Sequence, residues 1–316
     1  YNVNMEFIND TFSQIIYLND FVYIWKIYEN KIIELFNKNN YKKIISNIDE
    51  PLYDKYINLK EGKIIGYACF DKEIEARTEA LNILSEMSHL IKDLFSFEVI
   101  EGYQYNENNI ISTIYINDEL KKIIDINVYK TDKWTIKFNI NNNIIYAVDY
   151  YYKKYNLINP IISPYNFGLI IFENNKESAR EIIKNLKNKY KFLIPNGELK
   201  AKEKFLFLKE TGCNYIFEVR KNGIKIKTTY NDLENEIDIN DIDEFINNEN
   251  ENIKNNLFNK SLEEEYLLTK TKLSYVCEDC FNKLDKNILL PFNQRIKNKE
   301  CQCCKNKATK CYFIIN

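Results

Sequence analysis

The chain is short of several residue patterns that active sites commonly use. It contains one histidine and seven glycines. His89, the single histidine, has no serine, cysteine or carboxylate constellation near it, so we expect a surface or packed residue and not a general base. No Gly-rich phosphate loop, catalytic triad or paired-carboxylate motif occurs elsewhere. The residues alone therefore indicate no active site.

Long apolar runs are also absent, and no sign of charge predominates. No run approaches the roughly 20 residues that span a bilayer, and the chain does not open with a charged-then-apolar signal segment. We therefore expect a soluble, cytoplasmic protein without a membrane partner. The formal net charge of −2 gives no global attraction to nucleic acid, so such binding would need a local basic face. We interpret the heavy use of Asn, Ile, Lys and Tyr as AT-rich coding bias.

Cysteine is concentrated at the end of the chain. Cys277 and Cys280 form one C-x-x-C pair, and Cys301 and Cys304 form another about twenty residues later. Each pair turns the chain tightly enough to present two thiolates to one ion, and two pairs complete a tetrahedral shell. The spacing predicts a closed, structural zinc site that supplies folding free energy to a small segment.

Two alternatives remain open for these cysteines. A pair of disulfides would require an oxidising compartment, and nothing in the sequence points to secretion. Cys303 or Cys311 could replace one of the named ligands. The isolated Cys69 and Cys213 lie in apolar surroundings, and we expect core residues there and not nucleophiles.

The first half of the chain predicts an antiparallel sheet with helices packed on it. Amphipathic patterns predict helices over 21–36 and 73–95. Between about Ile110 and Ala147 the pattern changes to short β-rich runs separated by Asn-rich turns. We assign residues 1–160 to this α+β core.

Pro160 and Pro164 mark a boundary, after which strand, helix and strand alternate with short connections. Residues 168–172, 215–219 and 224–228 read as strands, and 176–190 and 202–208 as helices, which is typical of a small α/β domain. The acidic, Asn-rich stretch 231–256 reads as a solvated helix or linker. We assign 161–245 to the α/β domain and 246–316 to the zinc module.

The C-terminal segment resembles the zinc domain of the prolyl-tRNA synthetases of eukaryotes, archaea and some bacteria. The resemblance rests on Leu290-Pro291-Phe292, the pair Cys301-x-x-Cys304, Ala308 and an abrupt aromatic end. The family pattern has glycine after the second pair, where this chain has Lys305. Residues 165–219 are similar to the family's anticodon-binding domain.

Earlier segments resemble the family's class II core in the same order. Phe70–Ala76 is similar to the helix after motif 2, and Phe97–Gly102 to the "pVIEG" strand that follows it. Tyr23-Ile24-Trp25 and its helix are similar to motif 1, which builds the family's dimer interface. The resemblance therefore implies a class II synthetase-like core, an anticodon-binding-like α/β domain and a zinc module.

The catalytic arginines of that family have no counterpart here. In the family, motifs 2 and 3 each supply an arginine to the ATP phosphates, and lysine cannot copy that bidentate geometry. About ten residues, 49–59, replace the stretch that carries motif 2, and the motif 3 counterpart reads Lys137–Asn141. All four arginines lie elsewhere: Arg77, Arg180, Arg220 and Arg295. Because of this loss, we expect no enzyme activity and do not favour a trimmed but active synthetase.

A synthetase-like scaffold without the catalytic arginines is compatible with two functions. The first is an RNA-binding factor in translation, directed at tRNA or the ribosome and inhibitory or dormancy-related in its action. The second is a protein-interaction or accessory subunit, or a homodimer, that uses the dimer or anticodon-domain surface. For the first function we predict a basic face on the α/β domain, made of Lys184, Lys187, Lys200, Lys202, Lys204, Lys225 and Lys227.

Overall fold

A computed structural model describes most of the chain: residues 21–45, 55–106, 109–116, 119–221, 223–231, 233–284 and 287–315. Contacts divide the chain into two compact units. The first unit includes Val148–Leu257, and the second consists of Trp25–Ala147 and Phe258–Asn316. The division into three domains stays a prediction. Of the segment that replaces motif 2, residues 49–54 lie outside the described residues.

The helices and strands are numbered in chain order. The strands are β1 Lys42–Ile44, β2 Lys55–Lys60, β3 Lys63–Phe70, β4 Ile100–Asn106, β5 Asn109–Ile116, β6 Lys121–Lys130, β7 Trp134–Asn141, β8 Phe167–Ile171, β9 Phe192–Leu193, β10 Tyr215–Arg220, β11 Gly223–Thr228, β12 Glu234–Ile237, β13 Ser274–Val276, β14 Ile288–Pro291 and β15 Lys310–Ile314. The helices are α1 Phe21–Lys38, α2 Glu73–Phe95, α3 Asn143–Tyr155, α4 Lys176–Leu186, α5 Ala201–Glu210, α6 Ile242–Lys272 and α7 Glu278–Phe281. None of the helices among the described residues combines the length and hydropathy needed to cross a membrane.

The second unit is built on one ten-stranded sheet. Its strand order is β1-β2-β3-β7-β6-β5-β4-β14-β15-β13. Every neighbouring pair is antiparallel except β1 and β2, which run parallel. The predicted sheet with helices on it is therefore present, and it also contains the strands of the C-terminal segment.

One face of this sheet forms the core with α1 and α2. Alternate residues of β6 and β7 are buried there, as period-two alternation requires: Ile124, Ile126, Val128, Ile136, Phe138 and Ile140. The Phe138 ring stacks on Phe36 of α1 with centroids 4.7 Å apart. Gly66 of β3 lies opposite Phe138, and a Cβ atom at Gly66 would lie 2.0 Å from that ring. Glycine at position 66 therefore makes room for the ring.

The C-terminal segment joins the sheet where two family-like motifs meet. Pro291 of β14 pairs with Gly102 of β4, and the Phe292 amide donates to the Glu101 carbonyl oxygen at 3.0 Å. A Cβ atom at Gly102 would lie 2.5 Å from the Leu290 carbonyl oxygen. The two strands therefore approach as closely as they do because residue 102 is glycine.

The first unit contains a five-stranded sheet of order β12-β11-β10-β8-β9. Strand β8 runs parallel to β9 and β10, whereas β11 is antiparallel to both of its neighbours. The predicted alternation of strand, helix and strand is present. Helix α4 buries the four residues that its periodicity predicts: Ala179, Ile182, Ile183 and Leu186.

Two helices differ from the sequence expectation. Helix α3 begins at Asn143, where an Asn-rich turn was expected, and the Asn141 side chain accepts a hydrogen bond from the Asn143 amide at 2.9 Å. Asparagine side chains cap helices as readily as they form turns. The stretch 231–256 contains β12 and the start of α6, which continues to Lys272. Residues Ile246, Ile253 and Leu257 of α6 are buried.

Candidate functional site

The four predicted zinc ligands lie together. The Sγ atoms of Cys277, Cys280, Cys301 and Cys304 are all within 4.8 Å of one another, and those of Cys277 and Cys304 are 3.5 Å apart. Zinc–sulfur bonds of about 2.3 Å in a tetrahedron separate the sulfurs by roughly 3.8 Å. The donor set and its spacing therefore fit a structural zinc ion. Cys303 and Cys311 lie outside this group.

Local hydrogen bonds shape the two halves of this cysteine cluster. The Phe281 amide donates to the Cys277 carbonyl oxygen at 2.9 Å as α7 begins, and the Lys305 amide donates to the Cys301 carbonyl oxygen at 2.9 Å. The Cys277 backbone amide is the main cause that lowers the pKa of the Cys301 thiol to about 6. A thiolate is the form that binds a metal. The pKa of the Cys280 thiol is raised instead, chiefly by its hydrogen bonds to Cys304 and Cys277, and the pKa of Cys304 is also raised. The fit to zinc therefore rests on the donor set and its spacing.

Lys305 takes the place of the family's glycine at a demanding backbone position. Its φ is 66°, which is the left-handed region that favours glycine. A lysine there costs roughly 1–2 kcal/mol relative to a right-handed residue. The chain makes this left-handed turn with lysine, although glycine is the residue that such a turn favours.

The two isolated cysteines are not part of this cluster. Cys213 is buried, and burial raises the pKa of its thiol to about 12. Cys69 is half-buried, with its Sγ 3.8 Å from the Thr135 hydroxyl. A thiol held protonated in this way is a poor nucleophile, so Cys213 fits its predicted place in the core.

The seven lysines of the predicted basic face differ in exposure and in their partners. Lys184, Lys187, Lys200 and Lys202 are exposed near α4 and the start of α5. Lys204, in contrast, is only 7% exposed. The α5 periodicity turns position 204 inward, so Lys204 is a packed residue and not part of an exposed face.

The two β11 lysines are held by carboxylates. Lys225 lies 2.5 Å from Glu234, and Lys227 lies 2.9 Å from Glu218 and 3.5 Å from Glu234. The hydrogen bond from Lys227 to Glu218 is the main cause that raises the pKa of Lys227. Strand β12 places Glu234 and Glu236 opposite Lys227 and Lys225. The alternating runs Lys-x-Lys and Glu-x-Glu were a sequence signal for this hairpin that the basic-face interpretation missed.

Of the two segments compared with motifs 2 and 3, the described part of 49–59 lies on β2 and Lys137–Asn141 lies on β7, and β3 separates these strands. Strands β2 and β3 form a hairpin in which Lys60 pairs with Lys63, and Gly62 has φ 65° in the tight turn between them. No arginine occurs on β2, β3, β6 or β7. Arg77 pairs with Glu73 along α2, and Arg220 pairs with Glu218 on the other sheet.

The sheet face directed away from α2 carries four polar side chains on β5, β6 and β7, of which Asn139 lies within the segment compared with motif 3. We call it the polar face and define it by Thr113, Asp125, Asn127 and Asn139. Thr113 lies opposite Asp125, and Asp125 lies opposite Asn139. Each of the four residues has a buried side-chain oxygen for which the described part of the chain supplies no hydrogen-bond donor. Lys122 reaches Asp125 at 3.4 Å. Phosphate binding favours cations and fixed pairs of donors such as a guanidinium. The Thr113 hydroxyl and the Asn127 and Asn139 amides can donate as well as accept, but none of β5, β6 and β7 carries an arginine.

His89 is exposed on α2, where its Nδ1 atom lies 2.7 Å from the Ser85 carbonyl oxygen. Its placement on the surface agrees with the expectation from the sequence.

Comparison with known proteins gives a likeness at the level of structure. No family model matches the sequence, and no curated protein matches it. One similar solved structure is prolyl-tRNA synthetase from Cryptosporidium parvum complexed with L-proline and AMP, with TM-score 0.75 and 12% identity over 93% of this chain and 89% of that chain. Another is the same enzyme complexed with halofuginone and AMPPNP, with TM-score 0.76 and 12% identity over 94% of this chain and 92% of that chain. At such identity the likeness shows the fold alone: the chain has a prolyl-tRNA synthetase-like fold.

Proposed function

We propose that this chain is a non-catalytic prolyl-tRNA synthetase-like protein that binds RNA in translation, with tRNA or the ribosome as its partner. The observation that carries the proposal is the contrast within one sheet. The strands of a synthetase-like fold are present, whereas no arginine occurs on β2, β3, β6 or β7, and Asp125 lies opposite Asn139 there. Activity in the cytoplasm, as an inhibitory or dormancy-type factor, is part of the same proposal.

The proposed loss of adenylation rests on the shortage of cationic donors on the polar face. A synthetase stabilises the negative charge that develops on ATP during the reaction with preorganised cationic donors. Of the lysines near the polar face, Lys122 is paired with Asp125, and the Nζ atom of Lys137 lies 5.3 Å from the centre of the Tyr67 ring. Lysine also cannot provide the two parallel hydrogen bonds of a guanidinium. Among the residues that the structure describes, the polar face therefore offers no guanidinium to hold a triphosphate in place.

RNA binding would use the exposed lysines of the first unit. Lys184 and Lys187 lie near the end of α4, and Lys200 and Lys202 lie at the start of α5. Exposed ammonium groups of this kind contact phosphates as point charges, and each contact releases a counterion. Because Lys225 and Lys227 are engaged by glutamates, the interacting surface is smaller than the sequence suggested.

The alternative function is a protein-interaction subunit, and the same pairing of Lys225 and Lys227 favours it. Native purification distinguishes the two. An RNA-binding factor should carry nuclease-sensitive RNA, and that RNA should be lost when Lys184, Lys187, Lys200 and Lys202 are all replaced by Glu. In the matched control, Glu replaces the exposed Lys26 and Lys38 of α1. RNA-free protein in a stable complex with another protein would replace the RNA proposal with the alternative.

A further inference from the structure

A cavity of about 450 Å³ lies in the second unit, between α2, the start of β4, the segment after β14 and the C-terminal part of α6. Its volume falls within the range of small-molecule sites, roughly 300–1,000 Å³. Its deepest residues are apolar, and Ile100, Leu273 and Phe313 are each at least nine-tenths buried. At its edge, Leu262 and Phe292 are 38% and 41% exposed. The cavity thus offers an apolar interior and an apolar wall.

The charged side chains that line this cavity carry a net negative charge. Three carboxylates line it, from Glu98, Glu101 and Glu265, together with the cations of Lys92 and Arg295 and the imidazole of His89, which is counted as neutral at pH 7. Lys92 pairs with Glu98 at 3.0 Å, and Arg295 pairs with Glu265 at 3.1 Å. Glu101 accepts a hydrogen bond from the Ser88 hydroxyl, and no ion pair engages it among the described residues. One negative charge therefore remains for a ligand to neutralise.

An aromatic ring lies beside this remaining carboxylate. Phe292 and Glu101 both line the cavity, and the backbone hydrogen bond from Phe292 to Glu101 ties the two residues together. The Phe292 ring packs on Tyr103 with centroids 5.7 Å apart, which fixes its place. A carboxylate and the face of an aromatic ring both attract an ammonium group, and their effects add when a cation reaches both.

We propose that this cavity is a binding site for a small organic cation with an apolar body. The ammonium or guanidinium group binds the Glu101 carboxylate, and the apolar body packs between Leu262 and Phe292. An anionic ligand is disfavoured because the net charge of the lining is negative. The site is independent of RNA binding, because none of the lysines proposed for RNA lines it.

The test compares three probes of one size: 2-phenylethylamine, 2-phenylethanol and phenylacetate. Ligand-observed NMR with the full chain should give a dissociation constant on the order of millimolar for the amine. The alcohol should bind more weakly, and the anion should not bind. Equal binding of amine and anion, or no binding of the amine at about ten times that concentration, would overturn the proposal.

Two variants test which residues form the site. Glu101→Gln keeps an acceptor for the Ser88 hydroxyl and should weaken amine binding about tenfold, as expected for loss of a charged hydrogen bond. Phe292→Ala removes the wall and should weaken binding of the amine and of the alcohol. Glu263→Gln is the matched control, because Glu263 is an exposed α6 residue that does not line the cavity. If Glu101→Gln binds the amine as tightly as the native chain does, the assignment of Glu101 as the ammonium-binding residue is wrong. This holds even if the amine binds at another place on the protein.

Discussion

The cysteine cluster and the polar face are both parts of the second unit, yet they relate differently to the family pattern. The cysteine cluster keeps every donor atom that a zinc site needs, with four sulfurs within 4.8 Å of one another. The polar face has paired strands in which Asp125 lies opposite Asn139, and no arginine occurs on β2, β3, β6 or β7. One region has the donor set of a metal site, and the other has the strands of the fold without arginine on β2, β3, β6 or β7.

This difference shows what each part contributes to the fold. A structural metal site contributes folding free energy, so loss of a single ligand destabilises the segment around it. A phosphate-binding arginine contributes to a reaction, and the sheet beneath it is held by buried residues such as Phe138 and Ile140. Chemistry can therefore be lost from the polar face without loss of the sheet.

The largest expected effect is on the cysteine cluster. Metal analysis should give one zinc ion per chain, and Cys301→Ser should release it and unfold the segment after about residue 275. Binding of a structural zinc ion is worth about 10–16 kcal/mol in small domains, far more than ordinary side-chain contacts. The measurement is metal content by mass spectrometry together with thermal unfolding.

Cys303→Ser is the control for that change. Cys303 is exposed and lies outside the cluster, so its replacement should leave both the zinc and the melting temperature unchanged. Intramolecular disulfides without metal in the native protein would contradict this part of the comparison.

Reversal of charge on the exposed lysines of the first unit should have the next largest effect. The combined change of Lys184, Lys187, Lys200 and Lys202 to Glu should weaken RNA binding more than tenfold at low salt and reduce its salt dependence, since fewer counterions are released. The melting temperature should change little, because exposed charges add little to stability. Fluorescence anisotropy of labelled tRNA across a salt series measures both. An unaltered salt slope would count against RNA binding on this surface.

Removal of the glutamate partner of Lys225 and Lys227 should raise RNA affinity, and by less than the lysine reversals lower it. Glu234→Gln removes the partner of Lys225 and one partner of Lys227. Because an exposed ion pair is worth about 0.2–1 kcal/mol, RNA affinity should rise by no more than about fivefold. Glu244→Gln on the exposed side of α6 is the control. A fall in affinity with Glu234→Gln would show that β12 itself contacts RNA.

An effect of similar size concerns the turn in the cysteine cluster. Lys305→Gly should stabilise the zinc-loaded protein by about 1 kcal/mol, because glycine accepts the left-handed backbone at no steric cost. Lys307→Gly is the matched control, since position 307 does not have a positive φ. Denaturant unfolding measures the free energy of unfolding of both variants. Equal changes in that free energy would show that the left-handed backbone at position 305 is not the cause.

Much of the fold could be predicted from local patterns. Helix α2 has the predicted bounds, Glu73–Phe95, because its apolar residues recur at helical spacing over many turns. The four cysteines were found because metal ligands obey a short-range spacing. Helix α3 was missed because its Asn-rich start is also typical of turns.

The parts that sequence could not give depend on contacts between distant residues. Whether Lys204 is exposed depends on what α5 packs against, and whether Lys225 and Lys227 are available depends on the strand that pairs with β11. The cavity beside Glu101 combines residues from α2, the start of β4, α6, the segment after β14 and β15. Charge and composition alone contain none of this information.

The central claim is that a synthetase-like fold persists here without adenylation. Proline-dependent exchange between ATP and pyrophosphate, measured with the full zinc-loaded chain and Mg²⁺, tests it most directly. The account predicts exchange at background, both for the native chain and for the variants Asp125→Ala and Asn139→Ala. Exchange above background that either variant abolishes would contradict the account and would make the polar face an active site.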